Sequence, residues 1–185
     1  MAKTLSSMLA LGTPAPEFSL VDVLCGKNVN LNSIKSSKAT VIMFICNHCP
    51  YVQHVNKELT RIATDYMKSG INFIAINSND ISNYPEDSPE NMKLIAEKES
   101  YPFPYLFDET QEVARAYQAA CTPDFYVFDE NLELAYRGQL DDSRPGNNVA
   151  VSGESVRRVL DSLLANETIS IEQKPSLGCN IKWKN

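Results

Sequence analysis

Residues 41–45 (Val-Ile-Met-Phe-Ile) form an unbroken apolar run, the pattern of a strand buried on both faces. The run breaks at Cys46-Asn-His-Cys49. Beyond it the apolar positions change period: Val52, Val55, Leu59, Ile62 and Tyr66 recur at alternating three- and four-residue steps, one face of an amphipathic helix. A Cys-x-x-Cys therefore sits where a buried strand becomes a helix N-terminus. There, unpaired N–H groups and the positive end of the helix dipole favour a negative charge. A thiol so placed loses its proton more easily, and the thiolate is the nucleophile.

The same reading extends along the chain. Residues 18–21 and 27–31 pattern as two short strands around a turn at Gly26. Residues 71–76 give a second apolar strand, after a helix stop at Gly70. The loop 77–87 is rich in Asn, Asp and Ser, which predicts a surface segment. Ser88-Pro-Glu90 opens a helix that runs to about residue 100: Ser caps, Pro fits the first turn and Glu complements the dipole. Residues 105–107 read as a short strand, followed by a near capping box at 108–111 and a short helix to Tyr117. Residues 125–128 and 132–137 predict a hairpin, and 154–165 a last helix with Val156, Val159, Leu160, Leu163 and Leu164 on one face. The tail 166–185 has little periodicity. Early βαβ units imply parallel pairing with right-handed crossovers, and the late hairpin adds antiparallel strands. The expected class is α/β, a mixed central sheet with helices on both faces and an N-terminal β-hairpin extension. The 185 residues suit a single domain over 1–185, with a core at about 11–165 and a tail at 166–185.

Composition narrows the chemistry. A net charge of -6 and the lack of a basic stripe argue against nucleic acid. No apolar span is long enough to cross a membrane. The first eleven residues are too weak for a secretory signal, so a cytoplasmic location is expected. The five cysteines, Cys25, Cys46, Cys49, Cys121 and Cys179, are an odd number, which argues against a structural disulfide framework. In a reducing compartment a Cys pair is more often redox-active or metal-binding than structural.

A strand ending in Cys46-x-x-Cys49 and followed by a helix resembles the thioredoxin fold. Cys121-Thr-Pro-Asp-Phe-Tyr-Val-Phe-Asp129 is similar to that fold's Thr-Pro segment, and Leu11-Gly-Thr-Pro-Ala-Pro-Glu-Phe18 to the start of redoxin domains. That is the branch shared by AhpC/TSA-like peroxiredoxins and the reductases related to ResA and TlpA. The resemblance implies a cis bond at Thr122-Pro123 facing the Cys pair, with the Thr122 backbone free to pair with an extended substrate. It also implies that Cys46 attacks and Cys49 resolves. The chain departs from thioredoxin in three places. Ile45 replaces the Trp before the first Cys, Thr40 the buried Asp six residues earlier, and Asn47-His48 the Gly-Pro dipeptide. The missing Asp leaves Glu58, His54 and Asp124 as candidate proton acceptors.

The resulting expectation is a thiol–disulfide oxidoreductase with antioxidant character. It needs no bound cofactor or metal, acts on a protein or small-molecule disulfide, and is recharged by a dithiol donor. His48 is expected over the Cys46 sulfur, where its protonated ring would lower the Cys46 pKa below about 8.5. The couple should then lie between about -270 and about -120 mV, the values for thioredoxin and for the periplasmic oxidase. A peroxidase is the nearest enzymatic alternative. The reactive Cys of peroxiredoxins aligns with Cys49, but their Thr or Ser and their Pro are replaced by Cys46 and Ile42. A non-catalytic binding module, including one that holds zinc or copper on Cys46, His48 and Cys49, is the alternative outside enzymes. Cys121, two residues before Pro123, is a candidate third thiol. In the tail, Ile181 and Trp183 are expected to bury, and Cys179 is either docked or exchanges with the pair.

Overall fold

The computed structural model describes residues 3–184; Met1, Ala2 and Asn185, which the single-domain expectation included, lie outside the described residues. In chain order the elements begin with β1 (Lys3–Leu5), β2 (Ser19–Asp22), β3 (Asn28–Asn30), α1 (Leu31–Ile34) and β4 (Ala39–Phe44). Then come α2 (Pro50–Met67), β5 (Ile71–Asn77), a 3-10 turn (Pro85–Asp87), α3 (Pro89–Glu99), β6 (Tyr105–Phe107) and α4 (Glu112–Ala116). The chain closes with β7 (Cys121–Thr122), β8 (Asp124–Phe128), β9 (Leu134–Gly138), α5 (Glu154–Ala165) and β10 (Leu177–Asn180).

Strand β4 is the axis. Its continuous apolar sequence is explained by burial of every residue. Alternate side chains go to opposite faces. Val41 and Met43 enter a core covered by α2, α3 and α5; Ile42 and Phe44 enter a second core with Leu31 of α1 and Val113 and Ala114 of α4. Within the main sheet the order is β3-β2-β6-β5-β4-β8-β9. The β4–β5 and β5–β6 pairs are parallel, and β8 runs antiparallel to β4, so the sheet is mixed. The architecture is the thioredoxin-like α/β fold, with β2 and β3 as the hairpin extension.

Helix α2 follows from its stripe: Val52, Val55, Leu59, Ile62 and Tyr66 are all buried. Truncating one such large side chain, as in Leu59→Ala, typically costs about 2–5 kcal/mol. Pro50 occupies its first position and Cys49 is the N-cap, so the Cys pair is bound to the helix start. Ser88 caps α3 by accepting from the Asn91 N–H, as the sequence pattern implies.

Two segments differ from expectation. The loop 77–87 is not a surface loop at its ends: Asn77, Ser78, Asn79, Asp80 and Asp87 are buried. Polar residues can be buried when they satisfy one another, and here Asn77 donates to the Asp87 carbonyl and Asn79 to its carboxylate. The tail is not aperiodic coil either. Strand β10 pairs antiparallel with β1 on one side and β7 on the other, making a second, three-stranded sheet. Strands of three and four residues carry too few alternations to register as a period, so neither β1 nor β10 stands out in the sequence. Among the described residues no helix is long and apolar enough to cross a membrane.

Candidate active site

Cys46 lies in the five-residue gap between Phe44 and Pro50, and Cys49 at the helix cap; they are 1% and 0% exposed. Cys46 Sγ is 3.3 Å from the Thr122 hydroxyl, and Cys49 Sγ is 3.2 Å from the Thr122 carbonyl. The Thr122–Pro123 peptide is cis. Register explains the meeting: Phe44 pairs with Asp124 across β4 and β8, so the residues just beyond Phe44 face those just before Asp124.

The residue that organises the loop is Asp87, which sequence reasoning missed. Its carboxylate is fully buried and accepts from the Asn47 N–H at 2.7 Å, the His48 N–H at 3.3 Å and Asn79 Nδ2 at 2.7 Å. It also lies 2.6 Å from His48 Nδ1. Burial alone would raise its pKa, but the hydrogen bonds from His48 and Asn79 and the Asn47 N–H prevail and hold it below the usual carboxylate range. Asp87 in turn raises the pKa of His48 through the same bond. The His48 ring stacks on Tyr84, with centroids 5.3 Å apart. Asn47 completes the network, donating to the Glu86 carbonyl and accepting from the Tyr105 hydroxyl. The only sequence signal was the density of Asn, Asp and Ser in 77–87, a composition that usually marks solvent exposure.

This network corrects the expectation for Cys46. Its pKa is raised, first by the hydrogen bond with Cys49, then by burial and by the Asp87 carboxylate. His48 cannot act as a free cation on the sulfur, because its charge is matched by Asp87. Cys49 takes the opposite course and is lowered to about 5. The hydrogen bond from Cys46 is the largest cause, opposed by burial and helped by the Cys179 thiol and the Val52 N–H. That N–H is itself aligned with the Cys49 carbonyl at 3.0 Å, so its effect on the sulfur is electrostatic. The two thiols are thus pushed in opposite directions, Cys46 up and Cys49 down, chiefly by the hydrogen bond between them.

The other candidates separate cleanly. Glu58 is tied to Arg157 and Arg61, and His54 Nε2 is 2.7 Å from the Ser143 hydroxyl; neither contacts the pair. Asp124 is buried beneath the Thr-Pro segment, where burial pushes its pKa up to about 8 against the hydrogen bond from Tyr126. Cys121 is also buried and raised, first by desolvation; its Sγ contact is the Pro123 carbonyl at 3.9 Å. The third thiol in contact with the pair is instead Cys179, 2.7 Å from Cys49 Sγ. Cys25 is exposed and lies 3.3 Å from Asp22 Oδ2, away from the site. In the tail Ile181 is 1% exposed, but Trp183 is 36% exposed, against expectation, because it stacks on the Arg115 guanidinium at 4.4 Å on the surface. Cys46, His48 and Asp87 present one ligand atom each within 4.8 Å of one another, so among the described residues they form a group that could hold a metal. Two of these atoms, on His48 and Asp87, already bind each other.

The AhpC/TSA family model matches residues 11–137. The chain is 26% identical over 131 residues to the thiol-disulfide oxidoreductase ResA of Geobacillus kaustophilus (strain HTA426), covering 71% of this chain and 70% of that one. It is 61% identical to an uncharacterized conserved protein from Geobacillus kaustophilus whose crystal structure superposes with a TM-score of 0.98, covering 100% of this chain and 97% of that one. The hypothetical protein SMc02350 from Sinorhizobium meliloti 1021 is 42% identical, with a TM-score of 0.95 and 98% of each chain covered. The chain belongs to the AhpC/TSA family, in the redoxin branch of the thioredoxin-like superfamily, and is an oxidoreductase of the thiol–disulfide class.

Proposed function

We propose that the chain exchanges disulfides through Cys46 and Cys49, with a mixed disulfide as the intermediate. The observation that carries this reading is the placement of the pair: both sulfurs pack on Thr122 beside the cis Pro123, at the N-terminus of α2. Family resemblance gives the attack to Cys46, which reaches its thiolate by passing its proton to Cys49. Its thiolate attacks one sulfur of an external disulfide, and the other sulfur leaves as a thiolate. Cys49 then attacks Cys46 in the mixed disulfide, releasing the reduced substrate and leaving a Cys46–Cys49 disulfide. Two electrons pass to the substrate, and a dithiol donor returns them. Asn47 and His48, anchored by Asp87, hold the loop, and the Thr122 hydroxyl steadies Cys46 beside Pro123 and Cys121. Substrates are protein or small-molecule disulfides. The setting is a cytoplasm that keeps thiols reduced, a reading supported by the odd number of cysteines, which argues against a structural disulfide framework.

Titration of the pair against glutathione, with the linkage mapped by mass spectrometry, tests the reading. The expected result is a reversible two-electron couple. In cells, Cys49→Ser should leave partners linked to Cys46. A pair that never closes would instead make the chain a non-catalytic module. One feature favours a second reading, peroxidase: Cys49 is the thiol whose pKa its surroundings lower, and it is the position that aligns with the reactive cysteine of peroxiredoxins. Rapid loss of hydrogen peroxide that depends on Cys49, and survives Cys46→Ser, would establish it.

A further inference from the structure

Strand β10 lies where an incoming substrate strand would lie. Cys179 pairs with Thr122 and Asn180 with Cys121, so the backbone edge expected to receive a substrate is occupied by the chain's own tail. The contact is close: a Cβ at Gly178 would overlap the Thr122 carbonyl. Glycine is the residue that permits such an approach of two backbones. The seating is also specific. Ser6 N–H donates to the Ser176 carbonyl at 3.0 Å, and Lys182 N–H to Asn79 Oδ1 at 2.8 Å. With the tail down, the Cys pair is closed off from solvent.

We propose that Cys179 is a third redox cysteine of this site, delivered to Cys49 by a tail strand that takes the place of substrate. The proposal rests on the dithiol reading above. Its sulfur is 2.7 Å from Cys49 Sγ, between the bonded S–S length of about 2.0 Å and a non-bonded contact. Once Cys46 and Cys49 are joined, the Cys179 thiolate attacks Cys49 Sγ. The Cys46–Cys49 bond breaks, a Cys49–Cys179 bond forms, and Cys46 leaves as a thiolate that takes up the proton Cys179 lost. No electrons enter or leave, so no further oxidant is needed. The result is an oxidised protein whose tail is covalently fastened over the groove and whose Cys46 is free.

The electrostatics follow the same direction. In the reduced protein Cys179 is raised to about 12, first by burial and then by its bond to, and the charge of, Cys49. Closing the Cys46–Cys49 disulfide removes that charge, so Cys179 becomes easier to ionise at the moment it is needed. Lys182, whose charge lowers the Cys179 pKa, assists.

The experiment maps disulfides in the full-length protein after equilibration in glutathione buffers, acid quench and alkylation. Wild-type protein is expected to contain both Cys46–Cys49 and Cys49–Cys179 linkages. Cys179→Ser should lose the second and keep the first, and Cys46→Ser should form Cys49–Cys179 alone. Cys46–Cys49 as the only linkage in wild type, together with a Cys46→Ser protein that carries glutathione on Cys49 and no internal bond, would overturn the third thiol and leave the dithiol reading intact. Absence of Cys46–Cys49 in both wild type and Cys179→Ser would instead remove the dithiol reading, and with it the exchange step.

Discussion

The two cysteines are three residues apart, yet the walls they touch are made of opposite materials. Behind Cys46 stands a fixed anion: Asp87, fully buried and saturated by Asn47, His48 and Asn79. Around Cys49 stand the Cys46 and Cys179 thiols and the helix start, with the Thr122 carbonyl as an acceptor at 3.2 Å. The first wall keeps a proton on its sulfur, and the second removes one. Apart from the bond between the two thiols, neither wall belongs to the Cys-x-x-Cys motif. One comes from the loop between β5 and α3, the other from the helix dipole and a strand about 130 residues later. The motif supplies the two sulfurs and the bond between them; distant segments add an anion on one side and a third thiol on the other.

The largest effect is expected from breaking the anionic wall. Asp87→Ala leaves the Asn47 and His48 amides and Asn79 without their acceptor and deprives His48 of its counter-ion. Removing one partner of a buried ion pair typically costs about 3–5 kcal/mol. Urea denaturation measures it, and a loss below about 1 kcal/mol would show that the network is not structural. The same variant should lower the Cys46 pKa, since one cause of its elevation is gone.

The donor wall is tested through the tail. Gly178→Ala forces a methyl against the Thr122 carbonyl, and overpacking of this kind costs about 1–3 kcal/mol. Lifting β10 also uncovers the pair, so alkylation of Cys46 and Cys49 in the native protein should accelerate. Unchanged stability with unchanged alkylation would mean that the tail is not seated in the groove.

pH separates the walls. His48 is raised, so its contribution is complete below its unfolded value of about 6.5 and is lost as pH rises through its folded value. Asp87 is lowered, so its contribution is present above about 3.9 and is lost as pH falls through its folded value. The pair is therefore strongest between about pH 4 and 6.5, and His48→Gln should lose more stability at pH 6 than at pH 9. Equal losses at both values would refute the ion pair. Cys49 behaves differently: its stabilisation is present above the unfolded thiol value of about 8.5 and is lost as pH falls through about 5. The ultraviolet thiolate absorbance of the reduced protein should accordingly disappear with a midpoint near about 5.

The smallest effect is expected at Trp183. It is partly exposed and stacks on Arg115, so Trp183→Ala should cost about 0.5–1 kcal/mol in denaturation. A loss of several kcal/mol would mean that the tail is anchored there rather than at Ile181 and β10.

Much of the fold was legible because it is carried by local pattern. The apolar run before Cys46 and the three- and four-residue steps after Cys49 give β4 and α2. Ser88-Pro89 gives the start of α3, and the 154–165 stripe gives α5 at its observed bounds. The Cys pair, and its place at a helix N-terminus, were equally legible. Asp87 was not. A buried carboxylate and a solvated one have the same sequence signature, and the difference lies only in whether distant donors arrive to satisfy it.

The sequence by itself determined the sulfurs, the strand and helix that hold them, and the family to which that arrangement belongs. Only the tertiary structure decided where the charge rests and what covers the site. Charge placement depends on groups within a few ångströms, and beyond the neighbouring cysteine those groups are 40 to 130 residues away along the chain. Coverage depends on β10, whose four residues have no period of their own and become a strand because β1 and β7 offer them hydrogen-bond partners on both sides.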